Sequence, residues 1–299
     1  MPRVPARVWL LAARPKTLTA SVAPVAVGTA LVASLAPRPF PVHLPALALL
    51  SAMSIQIATN LVNDAADFGR GADTASRLGP LRVTQGGLAR PRQVMAAAAA
   101  FFALAATLGV PLVAAGGTRV VSLGLLSIAA GVAYTAGPYP LAYAGLGEVF
   151  VLLFFGFAAV EGMCLVLARE TFPPWSELAS LQVGLSSVTL LAVNNLRDVQ
   201  GDLDARKRTL AARFGVRFAR AEIAFTILAP FALGALWLGS GRPWAAVLPL
   251  LALPIAVPLA IAAARETPSA RFNRLLARSA LLQLVFALLL AAGLAIPGR

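Results

Sequence analysis

Charge is what this chain has least of. Of its 299 residues, 12% are Asp, Glu, Lys or Arg, against roughly 25% in an ordinary globular domain. Hydrophobic residues make up 59%, which excludes both a water-facing surface of ordinary polarity and a disordered chain. Cys164 is the only cysteine, so an intrachain disulfide and a cysteine-rich metal centre are excluded. His43 is the only histidine, which removes a histidine-based zinc or haem site. Both are expected to be structural. What remains is an all-α integral membrane protein.

Apolar stretches of spanning length fall at about 18–35, 44–62, 95–115, 119–136, 147–168, 178–195, 221–240, 244–264 and 279–297. Each is near the roughly 20 residues a transmembrane helix needs. Turn chemistry separates them, as at Gly116-Gly117, Gly137-Pro138 and Pro173-Pro174. The pattern predicts about nine transmembrane helices in a single domain over residues 1–299. The first stretch follows Arg14-Pro15-Lys16 but runs long and lacks a small-residue cleavage site, so it is expected to be a span rather than a signal peptide.

With nine spans, the amino end and the 64–94, 196–220 and 265–278 loops share one face and carry 20 basic residues; the opposite face carries five. Cytoplasmic loops collect Lys and Arg, so the amino end is expected in the cytoplasm and the carboxyl end outside. This distribution also accounts for the net charge of +13, and no nucleic-acid partner is expected.

The six aspartates are confined to two short segments, Asn60 to Asp73 and Asn194 to Asp204. Each begins at the same end of a span. On a continuing helix, Asn60, Asn63 or Asp64, and Asp67 share one face, as do Asn194, Asp198 and Asp202. The step from Asn60 to Asp64 recurs 134 residues later from Asn194 to Asp198, across an even number of spans. A parallel internal repeat is therefore expected, with both acidic faces at one mouth. Solvated loop acids are the plain alternative, and they fit poorly when every aspartate lies in two matching places. Crowded carboxylates repel and need cations to stay ionised. Magnesium suits them, because it is held by one or two carboxylates plus substrate phosphate oxygens. Asn63, Asp64, Asp67, Asp73, Asn194, Asp198 and Asp202 are the expected ligands, with Asp64, Asp67, Asp198 and Asp202 the catalytic acids.

Basic side chains follow each motif. Arg77, Arg82 and Gln85 come after the first, and Lys207 after the second; guanidinium groups bind phosphate oxygens in pairs and a lysine adds a point charge. Lys16 is the only other lysine. Tyr134, Tyr139 and Tyr143 cluster in one Gly-Pro-rich turn, where Tyr134 or Tyr139 would hold an aromatic acceptor or face a cation. Glu148, near the mouth, would orient that acceptor, whereas Glu161 lies about 20 Å further along a helix and would snorkel outward with Arg169. Trp9, Trp175, Trp237 and Trp244 lie near span ends, as belt residues do.

These residues resemble the UbiA superfamily of membrane prenyltransferases, and within it the 1,4-dihydroxy-2-naphthoate polyprenyltransferases of menaquinone synthesis. The resemblance runs from Trp9 to about residue 290. It includes Ala13-Arg14-Pro15-Lys16-Thr17, Asn63-Asp64-x-x-Asp67 with Gly71-x-Asp73, and Arg77-Leu-Gly-Pro-x-Arg82. It continues through Tyr134-Thr135-x-Gly137-Pro138-x-Pro140-Leu141, Gly147-Glu148, Asn194-Asn195-x-Arg197-Asp198 and Lys207-Arg208-Thr209-Leu210. Two positions depart from the pattern: an aromatic is usual where Ala65 stands, and a glycine usual where Arg206 stands. The resemblance implies a UbiA-like bundle with cytoplasmic cap loops in a prokaryotic plasma membrane. It implies Mg2+-dependent transfer from polyprenyl diphosphate to 1,4-dihydroxy-2-naphthoate at its carboxyl-bearing carbon, with loss of CO2 and diphosphate. Arg77, Arg82, Gln85, Lys207 and Lys16 would then bind diphosphate, and Arg14, Asn60, Tyr134, Tyr139 and Glu148 the acceptor. A sister enzyme acting on 4-hydroxybenzoate or homogentisate is one alternative. A divalent-cation transporter is another, disfavoured because the acids gather on one face.

Overall fold

The structure, a computed structural model, describes residues 4–35, 39–72, 77–169 and 171–297. Asp73 lies outside them. The described residues form helices and connecting turns, with no strands among them. The helices are α1 (Ala6–Ala13), α2 (Thr19–Leu35), α3 (His43–Gly69), α4 (Pro91–Gly116) and α5 (Thr118–Ala133). They continue as α6 (Gly147–Ala168), α7 (Ser176–Arg197), the short α8 (Val199–Asp204), α9 (Leu210–Ser240), α10 (Pro243–Arg265) and α11 (Phe272–Ala295).

Each of the nine apolar stretches of the sequence overlaps one of these helices. Seven helices among the described residues are long and apolar enough to cross a bilayer, and the segment Ala6–Thr17 with α2, bent by 49°, counts as an eighth if the pair is one span. Helix α5, at 16 residues, falls short of the roughly 17–25 a span takes. Large apolar side chains face outward, among them Val110, Leu125, Phe225 and Leu251. Lipid is the solvent that such a surface suits.

Helix α7 is the central post, buried along most of its length. Its polar residues face protein. Gln182 accepts from Trp237 Nε1 at 2.8 Å and donates to Pro230 O at 2.7 Å, and Thr189 meets Thr226 at 3.0 Å. Trp237 is therefore a fully buried core residue rather than a belt residue, because Gln182 satisfies its indole N–H inside the bundle. Gly156 and Gly184 let α6 and α7 approach closely; a Cβ on Gly156 would sit 2.6 Å from Ser180 O. Small residues at helix contacts serve this purpose in membranes. Residues Leu152–Ala158 of α6 form a π-helical segment.

The basic connections meet at one end of the bundle. There Arg208 N donates to Tyr143 O at 3.1 Å, Asn273 Nδ2 to Leu78 O at 2.9 Å, and Arg220 Nη2 to Glu266 O at 2.9 Å. At the other end Arg169 Nε donates to Ala115 O and Arg242 Nη2 to Ser34 O. Glu161 does not snorkel. It is buried and accepts from Phe172 N at 2.9 Å and Ser180 Oγ at 3.3 Å, so protein donors hold its carboxylate inside the bundle.

Candidate active site

A cavity of about 720 Å³ opens among α2, α3, α4, α5, α6 and α7. Its walls run along α3 from Ala48 to Asp67, about 28 Å at 1.5 Å per residue. One end is apolar, lined by Ala48, Val110, Val113, Val121, Met163 and Val166; the other holds Arg14, Asn60, Asn63, Asp67, Arg77, Arg82, Asn194, Asp198, Asp202 and Lys207. Both aspartate segments reach this one head.

The first segment divides its labour within one helix. Asn60, Asn63 and Asp67, on one stripe of α3, line the cavity, and Asp64 does not. Asp64 turns to the 81–89 loop, where Oδ2 accepts from Val83 N at 3.0 Å and Oδ1 from Thr84 N at 2.9 Å. Between the two residues that the helical spacing left as alternatives, the cavity face takes Asn63. Asn63 Oδ1 accepts from the Thr135 hydroxyl. Asn60 Nδ2 donates to Ala13 O at 3.2 Å and Thr17 Oγ1 at 3.3 Å. Those bonds fix the turn in which Arg14 adopts a left-handed conformation, φ 53°.

Asp67 is 1% exposed and ties the two segments together. Its Oδ2 meets Arg82 Nη2 and Lys207 Nζ, each at 3.1 Å, while Oδ1 accepts from the Tyr143 hydroxyl at 2.9 Å. The Tyr143 ring carries Lys207 Nζ 4.8 Å from its centroid and the Arg70 guanidinium at 5.4 Å. Tyr143 is thus the tyrosine of its loop that holds the Asp67 carboxylate. Tyr134 lines the cavity, and Tyr139 is 86% exposed.

In the second segment the helix breaks. Helix α7 ends at Arg197, Asp198 leaves helical geometry at φ −94° and ψ 9°, and α8 resumes. The bond from Asp202 N to Asp198 O at 2.8 Å keeps the four-residue step, so both carboxylates still line the cavity. Arg197, 2% exposed, grips Asp198 through Nε–Oδ1 at 2.8 Å and Nη2–Oδ2 at 2.6 Å. It also reaches Asn194 Oδ1 at 2.6 Å and Asn273 Oδ1 at 2.7 Å. Asp202 accepts from Thr209 Oγ1 at 3.2 Å. Burial pushes its carboxyl up to about 6, with Lys207 opposing and Asp198 adding to the shift.

Lys16 is exposed and Gln85 half-buried, and neither lines the cavity. Ala65 packs with Leu61, Val62, Val83 and Val94, away from the cavity, so the missing aromatic bears on helix and loop packing rather than on the pocket. Arg206 sits at φ 55°, in the left-handed region where a Cβ costs about 1–2 kcal/mol. That region explains the glycine usual there. Asn195, part of the second motif but given no role from the sequence, donates Nδ2 to Glu148 Oε1 at 2.8 Å.

The donors fit magnesium. Asn63, Asp67, Asn194, Asp198 and Asp202 offer hard oxygen atoms at one cavity head. Among the described residues no three carboxylate, thiol or imidazole groups converge as a self-sufficient cage, and magnesium ordinarily takes one or two carboxylates and fills its shell with water and phosphate.

The UbiA prenyltransferase family matches residues 21–281. The chain is 37% identical over 293 residues to a 1,4-dihydroxy-2-naphthoate octaprenyltransferase of Mycobacterium tuberculosis, covering 96% of each chain. To the protein of that name from Haemophilus influenzae it is 30% identical, covering 97% of this chain and 96% of that one. In structure it is similar to a UbiA homolog from Archaeoglobus fulgidus, with TM-score 0.67 and 16% identity over 97% of this chain and 100% of the other. The same archaeal homolog bound to GPP and Mg2+ gives TM-score 0.66 at the same identity and coverage. The fold, the paired aspartate segments and these likenesses agree: the chain belongs to the UbiA prenyltransferase family and is a multi-pass membrane prenyltransferase.

Proposed function

We propose that the protein transfers a polyprenyl group from polyprenyl diphosphate to 1,4-dihydroxy-2-naphthoate, with loss of diphosphate and CO2, in menaquinone synthesis. The observation that carries this reading is the convergence of both aspartate segments at the polar head of one long apolar cavity. The relatives named 1,4-dihydroxy-2-naphthoate octaprenyltransferase support the acceptor. The 20 to 5 division of basic residues supports an amino end in the cytoplasm, and the recurring Asn-to-Asp step supports an internal repeat.

Asp67, Asp198 and Asp202, with Asn63 and Asn194, would hold Mg2+. Bound there, the ion supplies positive charge to the departing diphosphate. Asp64 is left to the 81–89 loop. Arg82 and Lys207, which now pair with Asp67, and Arg77 and Arg14 at the same head would take phosphate oxygens and stabilise charge as the allylic C–O bond breaks. The apolar walls receive the polyprenyl tail and keep water from the allylic cation until the ring attacks. Tyr134 and Glu148 line the same cavity and would orient the acceptor.

Purified protein given one polyprenyl diphosphate and a panel of naphthoate, 4-hydroxybenzoate and homogentisate tests the reading. Prenylated naphthol is the expected product; it disappears in excess chelator and returns with magnesium. Transfer to 4-hydroxybenzoate alone, or full turnover in chelator, overturns it.

A further inference from the structure

Glu148 is a second kind of acid in this cavity. Asp67 pairs with Arg82 and Lys207, and Asp198 with Arg197. Glu148, 7% exposed, has no cation against it among the described residues. Its Oε1 accepts from Asn195 at 2.8 Å, while Oε2 is buried with no hydrogen-bond partner, in the wall of the cavity. An unsatisfied buried polar atom is destabilising, and a ligand's donor group removes that cost. Asn195 fixes the carboxylate next to Asn194 of the second aspartate segment. Tyr134 lines the same cavity, its hydroxyl 3.1 Å from where a Cβ on Gly147 would stand. Glu148 and Tyr134 thus stand in the wall of the same cavity, where an acceptor ring would meet them.

We propose that Glu148 is a catalytic residue that holds one proton through the transfer, an inference resting on the naphthoate reading above. The hydroxyl beside the carboxyl-bearing carbon donates to Oε2. As the allylic C–O bond breaks, its electron pair leaves with diphosphate, and the ring carbon forms the new C–C bond. The hydroxyl proton passes to Oε2, and its oxygen becomes a ketone. The bond to the carboxylate then breaks, CO2 leaves, and the electron pair moves onto that oxygen, which recovers the proton from Glu148. No proton is gained or lost overall, and no oxidant or reductant is needed. A general base so placed contributes about 10²–10⁴-fold.

Glu148→Gln separates this role from packing, because Gln keeps an oxygen for Asn195 but cannot take a proton. The full-length protein in detergent should retain its melting temperature. Its KM values for donor and naphthoate should stay within about threefold, while kcat falls at least a hundredfold. Donor ionisation persists, so the fraction of prenyl diphosphate released as prenyl alcohol should rise. Glu148→Asp, which can carry a proton from a shorter arm, should recover at least tenfold over Gln. An undiminished kcat in Glu148→Gln overturns the proposal, as does a loss confined to the KM for naphthoate, or Asp no better than Gln. Absence of naphthoate prenylation by the unmodified protein would overturn the naphthoate reading instead.

Discussion

The two aspartate segments use the same residue types at the same spacing and arrive at the cavity by different backbones. On α3 the helix stays intact through Asp67, so a single stripe faces the cavity and Asp64, one residue off that stripe, is spent on backbone amides. On α7 the helix breaks at Asp198, which swings that carboxylate and Asp202 onto the same wall. Matching sequence positions thus acquire different surroundings: Asp64 pins a loop, and its counterpart Asp198 lines the cavity. Asp67 and Asp198 are neutralised differently as well. Asp67 draws Lys207 across from the other segment, while Asp198 is gripped by its own neighbour Arg197.

That contrast can be broken most forcefully at Asp67 and Asp198. Asp67→Asn and Asp198→Asn keep a hydrogen-bond acceptor and remove charge. Each should lower kcat at least a hundredfold, about 2.7 kcal/mol of transition-state stabilisation, with weaker activation by magnesium. Arg92→Ala, on an exposed site at the start of α4, should match the unmodified protein in the same assay. Equal, modest losses in all three would show the acids to be a solvated cluster.

A smaller and different effect is expected at Asp64. Asp64→Ala removes two charge-assisted bonds to the 81–89 loop, a loss of about 3 kcal/mol and roughly 5 °C in melting temperature. Turnover measured well below the melting point should fall less than tenfold. If Asp64→Ala instead behaved like Asp67→Asn, with an unchanged melting temperature, Asp64 would be a ligand and the division of labour on α3 would be wrong.

The smallest change sharpens the cross-link between the segments. Tyr143→Phe loses one hydrogen bond to Asp67 and keeps the ring under Lys207 and Arg70. One such bond is worth about 1 kcal/mol, so kcat should drop roughly fivefold. Tyr143→Leu, lacking the ring too, should drop it further. Equal effects from Phe and Leu would leave the ring no part in holding Lys207.

Helix content and membrane residence were legible from the sequence, because hydropathy over a 20-residue window is a local property. So was the pairing of the aspartate segments, since only two places in the chain hold those residues. Less was visible where one residue's orientation decides its role. The four-residue step could not choose between Asn63 and Asp64, for both lie near the same helical face. Tyr143 and Asn195 were given no role from the sequence, because nothing local marks a tyrosine as the partner of Asp67 or an asparagine as the partner of Glu148.

By itself, then, the sequence determined the apolar spans, the basic end and the oxygen-rich segments that make a membrane prenyltransferase. Tertiary structure alone decided which acids face the cavity. Helical rotation and a single break after Arg197 set side-chain direction, and a buried carboxylate takes its role from whatever donor the packed neighbours bring to it: an amide at Asp64, cations at Asp67 and Asp198, and none at the free oxygen of Glu148.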